Sequence, residues 1–488
     1  MSTEQRPTLN ACSRQSLAFE ASSVKKESAD HVEVEHDDAE EADRDHTTEE
    51  ARLVRKLDFR IMPMLWAMYF LNYLDRAAIA QARLNKLEQN LHLVGSQYNV
   101  CISILFVGYT LVQIPSNMAM ATKRVRPSLW MCSWMMAWAV LSACTALAKD
   151  YTGLVVTRFL LGIAEAPFYP GAIYLLSLFY TRREIATRIG FLYSANICAI
   201  SFSGLIAAAT FATLDGAHGL HGWQYLFIIE GCLTFGIAFF AMFLLPDHPL
   251  TTRWLTPAQR ELAQARMDRD TVGLVASKGS IAGLKQAITD PRLWLLVVMQ
   301  TLHLAACGFN SFFPTVVSSL GFSSTITLVL TCPPYLAAGV IAILYGMSSG
   351  KFNERTIHIT IACAVAAVGF AISCVTLNVG ARYTSCFLFT IGAYASNSII
   401  LGWVSATCGQ TQEKKAAALS IVNTFANASF IYTPYLYPSS DGPKYLMANI
   451  ANACFVAGTA ACAWALRAWL RMENKKRKER NETLLYAY

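Results

Sequence analysis

Long apolar runs, each near the roughly 20 residues a helix needs to cross a bilayer core, begin near Phe59, Tyr98, Pro127, Gly153, Arg188 and Gly222. Six more begin near Arg292, Thr325, Ile357, Ala381, Ala416 and Tyr445, after a polar stretch from Pro246 to Asp290. The pattern predicts an all-α membrane protein with about 12 transmembrane helices in two six-helix, pseudo-symmetric bundles. The run from Leu320 to Met347 is the hardest to bound, because Pro333 and Pro334 interrupt it. Such breakers are tolerated where neighbouring helices satisfy the freed backbone groups. The chain thus divides into an acidic tail (1–55), a first bundle (56–245), a linker (246–290), a second bundle (291–470) and a basic tail (471–488). The first tail has few aromatics and many like charges and is expected to be disordered.

Composition sharpens this picture. The chain is 54% hydrophobic and only 15% charged, whereas a soluble domain carries charge on about a quarter of its residues. The net charge of +7 does not point to nucleic acid, because the basic residues flank apolar spans rather than forming one face. The fourteen cysteines, among them Cys101, Cys132 and Cys363, fall mostly one at a time within apolar runs, without metal-ligand spacing. They read as small packing residues, and neither a metal nor a cofactor is expected. No phosphate-binding Gly-x-x-x-x-Gly-Lys-Ser/Thr pattern supports direct use of ATP. The chain reads as a transporter rather than an enzyme.

Basic residues set the expected orientation. With a cytoplasmic amino terminus, the inner loops contain Lys123, Arg124, Arg126, Arg182, Arg183, Arg188, Lys351, Arg355, Lys414 and Lys415. The outer connections hold about half as many, and the tail from Arg471 to Arg480 adds to the inner side. Both termini are therefore expected in the cytoplasm, where the formal sequon at Asn481 would stay unglycosylated. No signal peptide is visible, so the first span is expected to direct insertion. In the linker, Thr256–Pro257–Ala258–Gln259 reads as a helix start. Leu262, Ala265 and Met267 with Arg260, Arg266 and Arg269 suggest a helix lying along the membrane surface.

Ionisable side chains inside spans are functional candidates by default. Asp75 and Arg76 stand in the first span, Arg158 and Glu165 in the fourth. Counted from Phe59, Asp75 lies about 24 Å into its helix, in the outer part of the core. Arg158 comes to a similar depth and Glu165 about 10 Å deeper, near the midplane. Their seven-residue spacing places both on one helical face. A guanidinium that attracts anions and a carboxylate suited to carry a proton would then share one cavity. The alternative is a neutralised structural pair, Asp75 with Arg76 or with Arg158. Weaker candidates are Glu230 in the sixth span, His303 and Asn310 on one expected face of the seventh, and Asn423 and Asn427 one turn apart in the eleventh. Helix–helix hydrogen bonding explains the asparagines as well as substrate contact does.

Several segments together resemble a known family. They are Asn72–Tyr73–Leu74–Asp75–Arg76, Ile114–Pro115–Ser116–Asn117, the run from Arg158 through Glu165 to Gly171, Gly222 to Gly231, Leu245 to Pro249, and Asn423 to Pro438. The six-plus-six chain is similar to the major facilitator superfamily, and within it to the fungal allantoate permease-like branch of the anion:cation symporters. The resemblance implies a major facilitator fold and secondary transport of a small organic anion, a carboxylate, ureide or vitamin-like acid, with protons. It assigns proton coupling to Asp75 and Glu165 and anion binding to Arg76 and Arg158. His303, Asn310, Asn423 and Asn427 stand beside these as cavity-lining candidates for substrate contact. The chain departs from the superfamily pattern in the loop from Asn117 to Arg124, which lacks the usual acid, and at Gly350 and Ala78.

The leading expectation is a monomeric, multi-pass, plasma-membrane symporter of a small-molecule organic anion and protons, working by alternating access in the lipid bilayer, with no nucleic-acid partner. The alternative is export of a fungal secondary metabolite on the same fold. A nutrient sensor would more naturally carry a long structured extension, and no filter-like repeat supports a channel.

Overall fold

The computed structural model describes residues 48–120, 126–271, 280–408 and 412–479. The structure of most of the acidic tail, of the 121–125 loop containing Lys123 and Arg124, and of the chain beyond Glu479 with its sequon lies outside these residues. Within them the secondary structure is helical, with no strand. Helix α1 covers residues 48–83, followed by α2 (Gln97–Met120), α3 (Pro127–Leu147), α4 (Tyr151–Phe179), α5 (Arg182–Leu214) and α6 (Gly222–Leu244). After the linker come α7 (Pro291–Ser318), α8 (Ser324–Phe352), α9 (Thr356–Val375), α10 (Val379–Thr407), α11 (Gln412–Tyr432) and α12 (Leu446–Glu479). Nine of these are long and apolar enough by themselves to cross a membrane; α1, α2 and α11 complete the two sets of six. Those three carry polar residues along their length, among them Asp75, Arg76, Gln113, Asn423 and Asn427. Helix α1 reaches back to residue 48 and α12 on to Glu479, past the limits of 55 and 471 drawn from hydropathy.

Helical periodicity places the core. On α1, Leu57, Ile61, Leu65 and Met68 fall at helical spacing and are sealed against Met131, Met135 and Trp138 of α3 and Ala238 and Ala241 of α6. In the second bundle Phe309 of α7 meets Phe370 of α9 and Phe389 of α10, the last two stacked at 5.0 Å. The opposite faces carry exposed Phe239, Phe240 and Phe243 on α6 and Val340, Ile343 and Leu344 on α8. An outward apolar surface beside a buried polar centre is the arrangement a lipid solvent selects. Small residues permit close helix approach: a Cβ on Gly162 of α4 would sit 2.0 Å from the Leu105 carbonyl oxygen of α2.

Among the described residues three spans depart from a continuous α-helix in mid-course, one of them α7, which winds as a 3₁₀ helix from Cys307 to Phe312. Helix α4 loses its regular course at Ala166–Pro167, directly after Glu165. Helix α8 breaks at Thr331, just before Pro333 and Pro334. The halves touch where Gly204 of α5 packs on Leu328 and Thr331 of α8, and where Phe106 of α2 meets Phe430 of α11 at 4.8 Å.

The linker helix Pro257–Thr271 begins on the expected cap, Thr256 and Gln259 exchanging two hydrogen bonds of 3.3 Å. Its basic face differs from the expectation of a helix lying on the membrane. Arg266 is buried and paired with Glu184 of α5 at 2.7 Å and with Glu50 of α1 at 3.5 Å, and Arg269 also bonds Glu50. Arg260 caps the Thr252 and Leu255 carbonyls. Leu255 and Ala263 join the first bundle's core, while Ala265 is exposed. The acids that draw these arginines inward are far away in sequence, so local amphipathicity does not reveal them.

A related clamp starts the second bundle. Asp290 caps α7, bonding Arg292 at 2.9 Å and Lys414 of α11 at 2.6 Å. Burial alone would raise its carboxyl, but these hydrogen bonds bring it down to about 2. A carboxyl depressed in the folded state contributes stability above its ordinary value near 3.9, and that contribution disappears as pH falls toward 2. The stability difference between wild type and Asp290→Asn, followed by thermal unfolding in detergent, is expected to stay constant from pH 8 to about 4. It should then shrink by on the order of 1 kcal/mol as pH approaches 2. A gap unchanged down to pH 2 would refute the clamp's electrostatic contribution.

Candidate functional site

Asp75 and Arg76 are neighbours in sequence but not in environment, because adjacent helical residues point about 100° apart. Asp75 is fully buried and accepts hydrogen bonds from Trp138 Nε1 at 3.0 Å, Ser142 Oγ at 3.2 Å and Thr234 Oγ1 at 3.2 Å. Trp138 and Ser142 stand one turn apart on α3, and Thr234 comes from α6. Arg76 turns to α4, where its Nε donates to Glu165 Oε2. Its guanidinium also lies over the rings of Tyr109, at 4.7 Å, and Tyr73, at 5.3 Å. The pairings Asp75–Arg76 and Asp75–Arg158 weighed from sequence therefore do not occur as ion pairs. The pair that forms is Arg76–Glu165.

Arg158 is completely buried. Its guanidinium lies 5.0 Å from the centre of the Phe227 ring on α6, and none of its three nitrogens meets a hydrogen-bond acceptor among the described residues. One turn beyond Phe227, Glu230 is also buried, with Oε2 unpartnered. Asp75, Glu165 and Glu230 all lie within electrostatic reach of Arg158. The first bundle thus encloses three carboxyl groups and two guanidinium groups, Arg76 and Arg158. Fully ionised, this set carries one negative charge in excess, a costly state in low dielectric. Exchange of a proton or an anion with the set changes that balance.

The second-bundle candidates are less united. His303 is buried on α7, with Nδ1 unpartnered and Nε2 3.9 Å from Cys307 Sγ. Asn310 does not continue its face as a regular helix would require. From Cys307 to Phe312 the chain winds as a tighter 3₁₀ helix, which turns Asn310 to accept a 3.0 Å hydrogen bond from Tyr335 of α8. Asn423 and Asn427 are half-buried on α11 and bond each other: Asn427 Nδ2 donates to the Asn423 carbonyl at 2.8 Å and to its Oδ1 at 3.1 Å.

Sequence reasoning left out several polar groups at the centre. Gln300 Nε2 of α7 donates to Asn397 Oδ1 of α10 at 2.9 Å, and Asn397 Nδ2 donates to the Tyr193 hydroxyl of α5 at 2.7 Å, joining the halves. The Trp138–Ser142 spacing on α3 was an available signal for the Asp75 cradle. Nothing local marks Gln300, Asn397 or Tyr193, since each is an ordinary polar residue until a distant helix meets it.

Residues 65–434 match the model of the Major Facilitator Superfamily. The Major facilitator-type transporter hxnP of Emericella nidulans is 31% identical over 439 residues, covering 88% of each chain. The High-affinity nicotinic acid transporter of Saccharomyces cerevisiae is 29% identical over 399 residues, which cover 81% of this chain and 73% of the relative. Among solved structures, a D-xylose-proton symporter superposes with a TM-score of 0.66 at 14% identity, covering 83% of this chain and 97% of the other. That likeness concerns the fold alone.

Proposed function

The chain belongs to the major facilitator superfamily, and from that premise we propose that this multi-pass membrane transporter is a monomeric proton-coupled symporter of a small organic anion. The observation that supports the reading most directly is Arg158, a fully buried guanidinium with no acceptor beside it among the described residues. A buried arginine without an acceptor is costly, and a carboxylate reaching it would supply the missing bonds.

The charge balance supplies the coupling. Bringing a carboxylate to the cluster of Asp75, Glu165, Glu230, Arg76 and Arg158 adds a second excess negative charge unless a proton enters with it. Glu165 is the group best placed to take that proton. Its Oε2 is held by Arg76, its Oε1 is buried without a partner, and the break in α4 follows immediately. When an anion competes for Arg76, Glu165 can be released from the pair and accept the proton. Rocking of the two halves would then expose the loaded site to the other side. The nicotinic acid relative is consistent with a carboxylate substrate. We place both termini in the cytoplasm of a plasma-membrane protein, following the basic residues at the linker end of the bundle.

The test is uptake of a panel of labelled carboxylates by cells expressing the chain, against a vector control, at several external pH values. At least one carboxylate should accumulate faster as external pH falls. Flat uptake of all of them, with faster loss of preloaded compound than in the control, would replace this reading with export.

A further inference from the structure

The first bundle accounts for the charged end of a substrate but leaves three buried polar atoms on α7 unexplained, those of Gln300, Thr301 and His303. Gln300 Oε1 and His303 Nδ1 are both enclosed and without partners. At three-residue spacing they share one face of α7. An unsatisfied buried polar group costs about 1–3 kcal/mol, a cost that a ligand's hydrogen bond would relieve. The other end of Gln300 is already fixed, since its amide nitrogen is held by Asn397, which is in turn tied to Tyr193 across the boundary between the halves. The side chain is therefore pre-oriented with its carbonyl oxygen free to accept.

The surroundings are aromatic. Tyr193 is half-buried and within electrostatic reach of Tyr73, the residue whose ring lies beneath Arg76. Tyr394 of α10 lies within reach of both Tyr73 and Tyr193. A line of groups thus runs from Glu165 through Arg76 to Tyr73 and, across a gap spanned only by electrostatic reach, from Tyr193 through Asn397 to Gln300. Its first end is ionic, its last end is neutral and hydrogen-bonding, and the residues between them present flat rings.

We infer that Gln300, His303, Asn397 and Tyr193 form a second, uncharged recognition pole that selects planar carboxylates bearing a neutral hydrogen-bond donor away from the carboxylate. This rests on the anion-symport reading above and specifies which anions that site accepts. The ionic end holds the carboxylate, the tyrosine faces hold the planar frame, and the α7–α10 pole reads the far end. A site built to hydrogen-bond a group discriminates strongly against an analogue lacking it, because its own buried groups are then left unpaired.

The test uses the full chain purified in detergent and two probes differing by one neutral hydroxyl donor, 4-hydroxybenzoate and benzoate, with binding measured by titration calorimetry at fixed pH. Wild type is expected to prefer 4-hydroxybenzoate by about tenfold. Gln300→Leu should reduce that preference to within about twofold, with thermal unfolding in detergent reporting that the variant is folded. Tyr193→Phe, which keeps the ring and removes the hydroxyl that orients Asn397, should reduce the preference partway. Equal wild-type affinity for the two probes would overturn the second pole, as would a preference that survives Gln300→Leu and Tyr193→Phe. Binding of aliphatic carboxylates but of neither aromatic probe would overturn it too, leaving the anion reading intact. Failure of every carboxylate tested to bind would overturn the anion reading and this inference together.

Discussion

Glu165→Gln is expected to abolish proton-driven accumulation in reconstituted vesicles while exchange of preloaded substrate continues. Accumulation in wild type should follow an imposed pH gradient, whereas in the variant the internal-to-external ratio should settle near one. Glutamine retains the size of glutamate and can still accept from Arg76, but it cannot take up and release a proton. The half-reaction in which the loaded carrier returns loaded does not need that proton, so exchange survives. The single substitution also leaves the half-buried Arg76 without its charged partner, and breaking a pair from one side costs up to about 3–5 kcal/mol where both groups are fully buried. Loss of accumulation through unfolding is separated by the double variant Arg76→Gln/Glu165→Gln, which removes both charges. It should be more thermally stable than Glu165→Gln and equally unable to accumulate substrate. Full pH-driven uptake by folded Glu165→Gln protein would remove Glu165 from the coupling mechanism and shift that role to Asp75 or Glu230.

The expectations that succeeded and those that failed separate along a physical line. Spans and their order were legible because bilayer thickness requires long apolar runs, and α3, α6 and α9 start at or within one residue of the positions read from hydropathy. The interruption before Pro333 was legible because proline lacks the donor that a continuous helix needs. Partner choice was not legible. Whether Arg76 faces Asp75 or Glu165 depends on how α1 is rotated against α3, α4 and α6, which hydropathy does not encode. The depth assigned to Asp75 depended on where α1 starts, and the helix is already formed at residue 48, the first described residue, well ahead of Phe59. The shared face predicted for His303 and Asn310 assumed a uniform α-helical pitch that α7 abandons at Cys307. The acid missing from Gly350 has a nearby counterpart in Glu354, which pairs with Arg467 of α12 at 2.7 Å and caps α9 through the Ile357 amide. That pairing joins residues more than 100 positions apart and leaves no mark in either segment alone.

Replacing Arg158 with methionine separates a binding residue from a scaffold residue more sharply than any other change in the first bundle. An arginine that holds helices together has acceptors, and its loss destabilises the protein. Arg158 has none among the described residues; it is enclosed and rests on Phe227. Methionine keeps much of the side-chain volume and removes a buried guanidinium that has no hydrogen-bond acceptor beside it, which relieves its desolvation cost. The variant without substrate is therefore expected to unfold at the same temperature as wild type or a few degrees higher. Carboxylate binding should fall by at least 100-fold, the loss of a charge-assisted bidentate contact in low dielectric. The remaining cluster, Asp75, Glu165 and Glu230 against Arg76, would carry two excess negative charges if ionised. It should hold an additional proton over the working pH range, measurable as reduced proton release on alkaline titration toward neutral pH. Arg158→Lys restores charge but not the planar fork, so it should recover stability behaviour close to wild type and only part of the affinity. A methionine variant several degrees less stable than wild type, yet still binding carboxylates, would identify Arg158 as structural and leave Arg76 as the anion's partner. The combination of stability retained and binding lost is the signature expected of a guanidinium that keeps its hydrogen bonds for a ligand.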